Sequence, residues 1–335
     1  MESLQTRSVE ILALIRDLAS FEGEDRGPRT HFLIWNFLVM TLGAVGVREY
    51  RNVKLRTMNK QSWATWAALV SSAMLLLSCV LESRAISLGH GKHASTLSQD
   101  ALLSIAVVSR LANMFVTLSI FWSKLFVVSV LQPNVPAVSG RRRTLDAVIG
   151  ASALGMAVAI VLASIPVDGV YCPTGRVSCV SLGTFVMASR VLASFSVVLN
   201  VVLVLMAASL VARLSLEPRE KTGAAVAITF GACAIFAALI KRSKYSRLED
   251  GDVTYHGAYI LLWSVAEATL TTIAGTFPSI RPYMKDTSVR PASPPPEAVA
   301  LRDLHSVDAE RGQSSDTELR ESEVLYRSMV RAGLL

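Results

Sequence analysis

The sequence predicts an all-α membrane protein, a bundle of seven transmembrane helices, and three observations predict it. Of 335 residues, 52% are hydrophobic and only 18% charged, where a soluble domain carries about a quarter charged residues. Seven apolar stretches approach or exceed the length needed to cross a hydrocarbon core of about 30 Å. The basic residues gather in short clusters between those stretches, as they do at the ends of membrane helices. The formal charge of +7 is therefore no sign of a nucleic-acid partner; the partner implied is the lipid bilayer.

In chain order, residues 1–30 form an N-terminal segment in which Ile11, Leu14, Ile15 and Leu18 share one helical face, suited to lie on a membrane surface. No secretory signal precedes the first span. The spans are His31–Val47, Trp63–Leu81, Ala101–Leu131, Leu145–Val167, Val180–Leu214, Gly223–Ile240 and Gly257–Ile280. The first and sixth are short and would stand nearly upright, whereas the third and fifth must tilt or project. After Pro282 the chain turns polar and rich in Pro, Ser and charge. Residues 31–285 are thus expected to form the membrane domain, and residues 286–335 a disordered tail, a solvated tether or a docking segment for a cytoplasmic partner.

Orientation follows from the clusters. Arg48, Arg51, Lys54, Arg56, Lys60, Arg141, Arg142, Arg143, Arg213, Arg219 and Lys221 lie on one side, against Arg84, Lys92, Arg176, Lys241, Arg242, Lys244 and Arg247 on the other. The bias predicts an outer or lumenal N-terminus and a cytoplasmic C-terminus, in a multi-pass protein of the endoplasmic reticulum or plasma membrane. The four basic residues after the sixth span run against it. Cys79 and Cys233 lie within spans as small packing groups. Cys172 and Cys179 flank the polar loop CPTGRVSC on the outer side, where a disulfide suits an oxidising compartment; two unpaired thiols are the alternative.

The last span, GAYILLWSVAEATLTTIAGTFPSI, carries a lone carboxylate, Glu267, near its middle. A charge at that depth faces a bundle interior or a wet cavity. Counting about 1.5 Å per residue, Arg110 in the third span, Arg190 in the fifth and Glu267 in the seventh fall at one level, on the order of 14 Å below the outer surface. Asn113 and Thr117 continue the helix face of Arg110. Two readings stand: a structural pin of Arg110, Glu267 and Arg190, or the floor of a ligand cavity with Trp263, Tyr259 and Asn113 on its wall and the GHGKH segment at 89–93 as its lid. The positive excess would suit an anionic or phenolic ligand.

Several segments resemble one family. Gly89-His90-Gly91-Lys92-His93 is similar to its glycine–histidine turn after span two, and Ser123-Lys124-Leu125 to its lysine step at the cytoplasmic end of span three. Cys172-Pro173 with Cys179 resembles its outer-loop cysteine pair, and Trp263, Glu267, Pro278, Arg281 and Pro282 resemble its ending. These are features of the fungal rhodopsin-like integral membrane proteins, which include satratoxin-cluster and appressorium-receptor-like members. The resemblance spans roughly residues 31–285. Where the family places an aspartate and then a proline pair in span five, this chain has Asn200 and then Met206-Ala207-Ala208-Ser209. Gln61-Ser62-Trp63 likewise replaces its acidic-aromatic start of span two.

The resemblance implies a receptor-like or accessory membrane protein of a fungal secondary-metabolite pathway, holding a lipophilic small molecule. The competing class is a membrane-embedded, cofactor-independent cyclase or isomerase acting on a terpenoid or polyketide, with Glu267 as general acid and Arg110 or Arg190 steadying the developing anion. No cofactor is expected. The last span has no lysine for a retinal Schiff base, and no phosphate-binding glycine loop or serine elbow is present. No metal is expected either: His90 and His93 lack a third ligand and read as a solvated turn. Small residues at Gly150, Ala151, Gly155, Gly223, Ala227 and Gly231 read as close-packing positions.

Overall fold

A computed structural model describes residues 26–54, 62–135, 139–167, 179–213, 218–250 and 252–279. The N-terminal segment up to residue 25, Cys172 with the disulfide expected for it, and the tail lie outside the described residues. Within them the chain forms seven long helices: α1 Gly27–Lys54, α2 Ser62–Leu88, α3 Gln99–Leu131, α4 Gly140–Ser164, α5 Leu182–Arg213, α6 Pro218–Lys244 and α7 Val253–Ser279. All seven contain a stretch long and apolar enough to cross a membrane. The first and sixth are not short. α1 has 28 residues and α6 has 27, because helix continues through Arg48, Arg51, Lys54 and Lys241, polar residues at which an apolar count stops.

Local sequence sets several of the ends. Ser98 accepts a hydrogen bond from the Ala101 N–H at 3.4 Å to start α3, with Asp100 in the first turn. Ser139 accepts from the Arg142 N–H at 3.3 Å to start α4. Both place an oxygen on donors that the first helical turn leaves unmatched. Between α2 and α3, Gly89 (φ 110°) and Gly91 (φ 100°) occupy the left-handed region, which only glycine enters at no steric cost. That pair of reversals swings His90, between them, into the bundle.

α7 is the most buried of the seven helices. Against it and α3, one core cluster joins Ile34 and Leu38 of α1, Leu75 and Cys79 of α2, Val116 and Ile120 of α3, and Leu261 and Val265 of α7. A second joins α3, α4 and α5 through Phe121, Leu145, Val148, Leu199 and Leu203. Phe32, Trp66, Leu154, Met187, Val198 and Phe236 remain exposed, the faces a bilayer would cover. Gly155 backs directly onto the Phe121 ring and Gly231 onto Val204, whereas Gly150 and Gly223 face open space. Only the first two act as close-packing positions.

Candidate functional site

Glu267 is fully buried on α7, and its carboxylate is gripped by four side chains from three helices. Lys241 Nζ of α6 lies 2.5 Å from Oε2, and Lys124 Nζ of α3 lies 3.2 Å from Oε1. From α5, Ser196 donates its hydroxyl to Oε1 at 2.6 Å and Asn200 its amide N–H at 3.0 Å. Lys124 also donates to Ser196 Oγ at 3.0 Å, which closes a ring of lysine, serine and carboxylate. Charge-assisted bonds from several sides are what allow a carboxylate to stay ionised out of water. The cluster nonetheless holds two ammonium groups and one carboxylate.

The partners are therefore lysines, and the expected level of Arg110, Glu267 and Arg190 does not form. Lys124, matched by resemblance to the end of span three, is completely buried inside the bundle. Lys241, counted with a loop, is also buried. Depth counting failed because it starts every helix at one plane. α3 has 33 residues, and its Lys124 lies 14 positions beyond Arg110, about 21 Å along the axis. Arg110 instead meets the last turn of α4, where Nη2 donates to the carbonyls of Ile165 and Leu162. A guanidinium there satisfies carbonyls that a helix end leaves open. Arg190 is exposed.

Beside this cluster lies a cavity of about 610 Å³ between α3, α4, α5, α7 and the end of α6. It extends from His90 and Gln99 to Ser196 and Lys241, which separate it from Glu267. Arg110, Asn113 and Thr117 line it from α3, and with Lys124 they make one polar stripe along that helix. Apolar groups such as Leu103, Leu162 and Phe185 form most of the remaining wall. Of the expected wall residues, Asn113 faces the cavity. Tyr259 and Trp263 pack instead with Ala237, Ala266, Leu33 and Phe37 on the side of α7 toward α1 and α6.

The glycine–histidine turn is solvated only in part: Lys92 is exposed and His93 partly so, whereas His90 is buried. His90 is 3% exposed and its Nδ1 lies 2.7 Å from Oε1 of the buried Glu82. His93 Nδ1 lies 2.7 Å from Oδ2 of Asp252, whose Oδ1 accepts from the Ala94 N–H at 2.9 Å. The His93 hydrogen bond and then the Ala94 N–H hold the Asp252 carboxyl below its ordinary value. Thr254 donates to the Lys92 carbonyl at 2.9 Å and the Arg26 N–H to the Gly91 carbonyl at 3.2 Å. The turn is thus tied to the starts of α7 and α1 and closes one end of the cavity through His90. Among the described residues, no three His, Cys, Asp or Glu side chains are grouped to hold a metal.

Lys124, Lys241, Ser196 and Asn200 are the residues that reading along the chain missed. A signal existed for the first, since Lys124 stands seven residues before the end of an apolar run. Ser196 and Asn200, four apart on α5, share one face of the helix with Ser189 a further two turns back. Nothing local distinguishes Lys241 from Arg242 and Lys244 beside it.

The family model of the fungal rhodopsin domain matches residues 50–286, from the end of α1 through all of α7, and so contains the whole charge cluster and the cavity. Comparison with curated proteins finds no match. With that match over more than half of its length and seven helices able to cross a bilayer, the chain belongs to the fungal rhodopsin family of multi-pass membrane proteins.

Proposed function

We propose that the protein is a receptor-like or accessory membrane protein that holds a lipophilic small molecule in the cavity between α3, α4, α5 and α7. One observation carries this reading: the cavity has about 610 Å³ and a largely apolar wall, with Arg110, Asn113 and Lys241 among its polar groups. Small-molecule sites have that size, about 300–1,000 Å³, and that make-up. The resemblance to satratoxin-cluster proteins supports a ligand from a secondary-metabolite pathway. Arg48 and Lys241 are both buried and leave the loop count on opposite sides, and the remaining basic residues still favour an outer or lumenal N-terminus and a cytoplasmic tail.

Acid catalysis is the weaker reading. Glu267 accepts from two ammonium groups, a hydroxyl and an amide, so its oxygens are held by side chains of the bundle and not turned to a substrate. Lys241 and Ser196 also stand between it and the cavity. The test is to purify the full chain in nanodiscs from a fungal host and identify co-purifying small molecules by mass spectrometry. Ala163 lines the cavity, so Ala163→Trp should fill it and release the bound species. Equal recovery from the wild type and Ala163→Trp would refute a ligand in this cavity. A new product formed from lipophilic precursors by the wild type and not by Glu267→Gln would favour the cyclase.

A further inference from the structure

We infer that the cavity takes a lipophilic carboxylic acid, with its carboxylate seated at the Lys241–Ser196 floor. The inference rests on the cavity reading above and names the chemistry of its occupant. The cluster of Lys124, Lys241 and Glu267 carries one positive charge more than it balances, and a net charge out of water is costly. Asn200, the fourth partner, is neutral and already donates to Glu267. Glu267 already accepts from Lys124, Ser196 and Asn200 at Oε1 and from Lys241 at Oε2, and it is one negative charge for two ammonium groups.

The missing negative charge must come from the side that is open, and that side is the cavity. Lys241 and Ser196 are the two members of the cluster that line it. An ammonium has three donors, and the one that Lys241 spends on Oε2 leaves others for a second acceptor. Further along α3, Arg110 adds another positive charge to the lining. Among the described residues no aspartate or glutamate lines the cavity. Cationic anchors with no lining carboxylate, under an apolar wall, select an acid over a neutral lipid. They equally disfavour an amine, whose charge would add to the excess.

The acid could come from the bilayer, as a fatty acid, or from solution, as a compact aromatic acid. Both are tested with the full chain in nanodiscs, using radiolabelled oleate and naphthoate beside their methyl esters in a scintillation-proximity assay. Empty nanodiscs set the background. The expected result is saturable binding of an acid and at least about tenfold weaker binding of its ester. Oleate alone binding identifies the bilayer source, and naphthoate alone the solution source. Lys124→Met removes the excess positive charge without touching the cavity lining and leaves Lys241 balanced by Glu267, so it should weaken acid binding by about tenfold or more while sparing any ester binding. Acid and ester binding alike would overturn this inference and leave the cavity reading standing. Unchanged acid binding in Lys124→Met would also overturn it. If neither acid nor ester binds, the cavity reading itself fails, and this inference with it.

Discussion

Lys241 Nζ lies 2.5 Å from Glu267 Oε2, which ties the last turn of α6 to the middle of α7. Lys124 reaches the same carboxylate from α3 at 3.2 Å. The helices α3, α6 and α7 are therefore pinned at one buried point.

Removing the shared carboxylate should cost more than removing either cation. Glu267→Gln leaves two buried ammonium groups with no counter-charge, and the loss of stability should be about 3–5 kcal/mol. Lys124→Met leaves the neutral pair of Lys241 and Glu267 and should cost on the order of 1 kcal/mol. Unfolding in mixed micelles ranks the two variants. The opposite order would mean that charge balance does not govern the cluster.

Gly155 and Gly150 should separate cleanly. A side chain at Gly155 runs into the Phe121 ring, whereas one at Gly150 meets open space. Gly155→Val should lower stability by about 1–3 kcal/mol through overpacking. Gly150→Ala should leave it unchanged or slightly raised, since alanine is the better helix former. Paired thermal melts read the difference.

The Asp252 contact predicts an acid-side loss of stability. Its carboxyl is held below the ordinary value of 3.8, first by His93 and then by the Ala94 N–H. A depressed folded value contributes stability that is present above the unfolded value and lost as pH falls through the folded one. That loss therefore lies below about pH 4. Melting temperature against pH should fall less steeply there in Asp252→Asn than in the wild type. Parallel profiles would assign the acid sensitivity to other carboxylates.

Arg110 bonds the Leu162 and Ile165 carbonyls at the end of α4. Arg110→Met should cost about 1 kcal/mol, since the carbonyls that lose the charged donor are only partly buried. Hydrogen exchange should rise first in the last turn of α4. Uniform exchange across the bundle would mean that the contact is not a local cap.

The seven spans, the membrane setting and the importance of Glu267 were legible in the sequence, because each is a property of a single apolar stretch. Hydropathy acts locally, and a carboxylate amid some twenty apolar residues is conspicuous wherever the helix sits. The identity of its partners was not legible. Whether Lys124 and Lys241 or Arg110 and Arg190 meet Glu267 depends on how far α3 runs past its neighbours and which way the last turn of α6 faces. Those are relations between helices, set by packing across the bundle, and no count along one chain contains them. The sequence by itself determined that a charge must be satisfied inside the membrane domain. Only the tertiary structure decided that two lysines satisfy it, and that one of them also faces a cavity.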